Sequence, residues 1–81
     1  MINYPISTEK AIRLMESQNK LTFIVDRNAH KPDIKSEIAR TFKVKVLSVR
    51  TAIMPDGRKK AIVKLAKDYP AIDIATRLGL I

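Results

Sequence analysis

The spacing of apolar residues changes along the chain between a helical period and a strand period. After a short extended start over 2–4, Pro5 punctuates, and Ser7 or Thr8 can cap a first helix. Ala11, Ile12 and Met15, with Leu14, form its apolar stripe, and Ser17-Gln18-Asn19 ends it. LTFIVD, residues 21–26, is continuous, β-branched and aromatic, which predicts a short buried strand. In RNAHKPDIKSEIARTF, Pro32 suits a first helical turn and Asp33 complements the helix dipole. Ile34, Ile38 and Phe42 then recur every four residues with Ala39 alongside, while Lys35 and Arg40 fall off that face.

A period of two follows. Val44 and Val46 alternate with Lys43 and Lys45. Leu47-Ser48 breaks the alternation, and Val49, Thr51 and Ile53 continue on the other parity, so a β-bulge is expected there. Met54-Pro55-Asp56-Gly57 has turn chemistry: Pro presets one dihedral, Asp favours the next position and Gly accepts positive φ. The chain returns over Lys59 to Leu65, with Ala61, Val63 and Leu65 on one face and Lys60, Ile62 and Lys64 on the other. Tyr69-Pro70 opens a last short helix lined by Ala71, Ile74, Ala75 and Leu78, and Gly79 closes it.

The order β-α-β-α-β-β-α predicts an α+β fold: a small, mostly antiparallel four-stranded sheet packed with helices. Neither a repeat nor a linker interrupts it, so residues 1–81 are expected to form one domain. A chain of this length buries about 60–65% of its unfolded surface, and its core is modest. Hydrophobic residues make up 46%, unlike a disordered tail. The absence of cysteine excludes disulfides and thiolate metal sites. MINYPISTEK lacks the features of a signal peptide, and no apolar run reaches the roughly 20 residues of a membrane span. No membrane insertion is expected, and the cytoplasm is the default compartment.

Charge changes this picture most. Sixteen Lys and Arg against eight Asp and Glu give +8. Such an excess repels itself and favours a polyanionic partner. Catalysis has little to work with. His30 is the single histidine and sits where a cap or surface role is natural, and the acids are scattered. Gly57 is a lone turn glycine and no phosphate-cradling loop. We therefore expect no enzyme, no small-molecule substrate, no cofactor and no metal.

Binding to nucleic acid fits better. Outward hairpin positions place Arg50, Lys60 and Lys64 on one sheet surface, with Arg58 and Lys59 at the turn and Lys43 and Lys45 before them. Arg27, Lys31 and Lys35 lie on the other connecting region. Such side chains hold phosphates without reading bases, and their binding weakens steeply with salt. Phe23 and Phe42 fit core positions, so a sheet that stacks bases on aromatics is disfavoured.

STEKA (7–11), FIVD (23–26), IK (34–35), FKVKVLSVRT (42–51) and PDGRKKAIVKL (55–65) together resemble the universal large-subunit ribosomal protein twenty-three family. The closing YPAIDIATRLGLI and the short hairpin tip are similar to its archaeal and eukaryotic branch. The resemblance covers nearly the whole chain. It implies a structural component of the large ribosomal subunit that binds large-subunit rRNA beside the polypeptide exit tunnel. The implied neighbours are ribosomal protein twenty-nine of the same subunit, the signal recognition particle and the translocon.

By position, Ser7, Thr8, Glu9 and Lys10 match the family's start, Lys31 and Lys35 its second-helix cations, and Lys45, Thr51, Lys59 and Lys60 its hairpin. Glu16 matches the acidic position used in factor docking. Many members have Asn where this chain has Arg50, though a guanidinium still serves a phosphate. The alternatives are a stand-alone basic adaptor for protein partners and a free nucleic-acid-binding protein. Retention on large subunits through a high-salt wash separates a component from an adaptor, and competition between duplex DNA and structured RNA exposes the second.

Overall fold

Helix ends, a bulge and one tight turn set the course of the chain. The computed structural model describes residues 2–6 and 8–79. A first strand, β1 (Ile2–Pro5), leads to helix α1 (Glu9–Gln18). Thr8 caps α1, its hydroxyl accepting the Ala11 N–H at 3.1 Å. The other cap considered, Ser7, lies outside the described residues. Asn19 stops the helix in the left-handed region, at φ 56°.

Strand β2 (Lys20–Val25) and helix α2 (Lys31–Phe42) follow, the latter with Pro32 in its first turn. The alternation at 43–46 suggested a strand already at Lys43, but β3 (Val46–Ile53) starts later. Lys43 instead closes α2 at φ 55°, its N–H bonded to the Ala39 carbonyl. Helix termination prevails there because the last carbonyls of α2 need donors. The hairpin returns as β4 (Lys59–Leu65), and α3 (Ala71–Arg77) ends at Gly79 with φ 78°.

The α+β reading holds, with every strand pair antiparallel. The strands run in the order β1-β2-β4-β3. The body of the sheet is β2-β4-β3, whereas β1 joins the edge of β2 through a short pairing with a register shift between Ile2 and Tyr4. The bulge expected at Leu47-Ser48 is present: pairing of β3 with β4 slips between Val46 and Ser48. It sends Leu47 outward, half exposed, while Val46 stays buried.

The helices gather against the inner face, where Phe23, Ala61, Val63 and Leu65 meet Ile34 and Ile38 of α2 and Ile74 of α3. Phe23 and the partly buried Phe42 stack at 6.4 Å, consistent with a core role for both. Burying such apolar side chains contributes roughly 1.5–3 kcal/mol each and dominates the stability.

Asn19 also joins elements distant in sequence. Its Oδ1 accepts the Ala71 N–H at 2.6 Å, and its Nδ2 lies 3.1–3.3 Å from the carbonyls of Leu65, Ala66 and Tyr69. One side chain thus fastens the end of β4 and the start of α3 to the end of α1.

Candidate nucleic-acid interface

The outer face of the sheet is a small lattice fixed by strand register. Across β2, β4 and β3, one row holds Ile24, Lys60 and Ala52, the next Thr22, Ile62 and Arg50, the third Lys20, Lys64 and Ser48. Side chains alternate across a strand, so the inner sequence Leu21, Phe23, Val25 forces this outer one. Lys60 and Lys64 face away from the core, as their parity in β4 requires, and Arg50 is exposed opposite Ile62.

α1 packs against β2 and turns residues toward both faces. Met15 and Ile12 turn to the inner core, whereas Lys10 and Leu14 border the outer face. Two adjoining depressions result. One, about 120 Å³, runs between α1 and the hairpin, with Thr8 and Lys10 on one side and Lys60 and Ile62 on the other. The second, about 410 Å³, is lined by Lys31, Arg50, Thr51 and Lys60. Lys60 and Ile62 belong to both. The fold therefore brings Thr8, Lys10, Lys31, Arg50, Thr51 and Lys60 around one continuous concavity.

No carboxylate among the described residues lines either depression. Among the described residues, Lys10, Lys31, Arg50 and Lys60 neither donate a side-chain hydrogen bond nor enter an ion pair. These cations are separate in sequence but line two depressions that share Lys60 and Ile62. Lys64 extends the same face toward Lys20, its partner in register. Lys35 is exposed one helical turn beyond Lys31, and Lys45 is exposed just before β3.

The hairpin tip is built differently. Gly57, at φ 93°, closes the turn with its N–H on the Met54 carbonyl at 2.9 Å. Asp56 then takes the Arg58 backbone N–H at 3.1 Å and its Nε at 2.7 Å. The Arg58 backbone N–H, reinforced by its guanidinium, holds the exposed Asp56 carboxyl below its ordinary value.

Lys59, grouped in sequence with the other basic residues, has the inner parity of β4. Its Nζ donates to the carbonyls of Ala29 at 2.5 Å and Arg27 at 3.5 Å, tying the loop before α2 to the hairpin base. Arg27, Arg58 and Lys59 share a depression that also contains Asp26 and Asp56, so positive charge there is offset locally. Glu16 stands apart, on an exposed flank of α1 beside the outward Leu47 and Lys64. Two contributors escaped the residue-by-residue reading. Lys20 was available from the parity of Leu21, Phe23 and Val25, but Asn19 gave no local signal of its distant bonds.

The sequence profile described as ribosomal protein L23 matches residues 1–74. The chain belongs to the ribosomal protein L23 family. A Pyrobaculum aerophilum protein named large ribosomal subunit protein uL23 is 49% identical over the whole of both chains. A protein of the same name from Trypanosoma brucei brucei is 46% identical over all 81 residues. The chain spans only 49% of that second protein. One archaeal and one eukaryotic relative thus accompany the resemblance carried by the hairpin and the closing segment. In this L23-family chain, no helix among the described residues is long and apolar enough to cross a membrane.

Proposed function

We propose that the chain is a structural constituent of the large ribosomal subunit, in cytoplasmic ribosomes, and that it grips large-subunit rRNA with the outer face of its sheet. Family membership supports the large-subunit role. The observation that carries the RNA reading is the concavity lined by Lys10, Lys31, Arg50 and Lys60, with no carboxylate among its described residues. Phosphates neutralise these cations, and Thr8 and Thr51 at its margins supply hydroxyl donors.

Lys64, Lys35 and Lys45 extend the contact, whereas Arg27, Arg58 and Lys59 contribute less because carboxylates or carbonyls already occupy their surroundings. Ser7 belongs to this set by its place in the family motif. The seat beside the exit tunnel, the neighbouring ribosomal protein twenty-nine, and docking of the signal recognition particle and the translocon follow the family pattern. Glu16 is the docking residue in this reading, exposed away from the cationic concavity.

Filter binding of the purified protein to a large-subunit rRNA transcript across a salt series tests the reading. Affinity is expected to fall linearly in log–log form, with a slope set by the phosphates neutralised. Absence of binding at low salt refutes it. Glu16→Ala is expected to lower factor recruitment to assembled subunits while leaving RNA affinity unchanged.

A further inference from the structure

The smaller of the two depressions is more than a charged surface. Its apolar lining is Ile6, Ala11, Leu14, Met54 and Ile62. Thr22 also lines it, 6% exposed, its Oγ1 buried and without a hydrogen-bond partner among the described residues. A buried hydroxyl without a partner is destabilising, and few such groups survive in a folded protein without a reason. Valine would fill the same volume without that penalty. Lys10 and Lys60 stand at the margins of this slot.

We propose that the groove is a receptor for one unstacked nucleobase of the bound RNA. Its backbone phosphates would lie on Lys10 and Lys60, and its polar edge on the Thr22 hydroxyl. The inference rests on the RNA-binding reading above and adds a subsite to it. Sequence-specific RNA recognition favours bases that are splayed out of helices, because only these expose both a face and a hydrogen-bonding edge. The apolar lining accepts the face of such a base. Thr22 Oγ1 is buried against the lining, so meeting the base would take a turn of χ1 to another staggered well, driven by the hydrogen bond gained. A hydroxyl both donates and accepts, so it serves either kind of base edge. About 120 Å³ admits a single ring system and is too small for a helix or strand. The flanking cations select an occupant attached to phosphate over an apolar side chain from a protein.

Three variants compared in rRNA filter binding and thermal unfolding test the proposal. Thr22→Val is expected to leave the free protein as stable as the parent or more so, yet to weaken RNA binding about tenfold with the salt slope unchanged. Thr22→Ser, which keeps the hydroxyl, is expected to restore most of that loss. Lys60→Gln is expected to lower the slope by about one. Photocrosslinking with a 4-thiouridine-substituted transcript is expected to mark peptides containing Thr22, Met54 or Ile62. If the parent protein binds RNA and Thr22→Val binds equally well, the nucleobase receptor is wrong while the phosphate-binding face stands. Crosslinks confined to Arg50 and Lys31 overturn it likewise. If the parent fails to bind, the broader RNA reading is the one that fails.

Discussion

The outer sheet face and the hairpin tip carry similar positive charge in sequence, but they differ in what that charge meets. At the tip, Arg58 is held by Asp56, and next to it Lys59 donates to main-chain carbonyls. On the outer face, Arg50 and Lys60 have no partner within the described residues. A polar group engaged at home contributes to the fold, whereas an unengaged cation is available to another molecule. Strand parity and the nearest carboxylate, rather than the count of lysines, separate the two.

Reversing the outer cations is the severest way to break this contrast. Arg50→Glu combined with Lys60→Glu is expected to weaken rRNA binding roughly 100-fold and to lower the salt slope by about two. Its unfolding midpoint should stay near that of the parent, and a matching loss of stability in thermal denaturation would erase the distinction. Asn19→Ala tests a group engaged at home. With its bonds to Leu65, Ala66, Tyr69 and Ala71 gone, urea unfolding should show a loss of about 2–4 kcal/mol, while the folded fraction binds RNA normally.

Lys59→Met keeps the stem and removes the ammonium that holds the Ala29 carbonyl, so about 1 kcal/mol of stability should go with little change in salt slope. A slope reduced as much as by Lys60→Gln would place Lys59 with the RNA-facing set. The smallest effect concerns acid. Because the folded Asp56 carboxyl titrates below its unfolded value, its contribution is complete above about pH 4 and disappears as pH falls through the lowered folded value. An NMR titration should find Asp56 protonating later than an unstructured Asp, and Arg58→Ala should bring it back toward the ordinary value.

Local features of the fold were the most legible. The turn at Met54 to Gly57 has its chemistry written in four consecutive residues, and the parity slip at Leu47-Ser48 marks the bulge directly. The outward set Lys60, Ile62 and Lys64 follows from Ala61, Val63 and Leu65. Lys43 misled because a lysine beside alternating valines fits a strand as well as a helix terminus, and only the unfilled carbonyls of α2 decide between them. The gathering of Lys10 with Lys60, and of Lys31 with Arg50, depends on which strands become neighbours. That is a non-local choice, and no window of sequence contains it.

The amide at position 19 has an implication for the order of events during synthesis. Its partners lie 46 to 52 residues further along. A ribosome making this protein must therefore release most of the polypeptide before that latch can close. Until Ala71 clears the synthesising machinery, the first helix ends on a side chain still waiting for its counterparts, and the newborn domain stays unfastened at that corner.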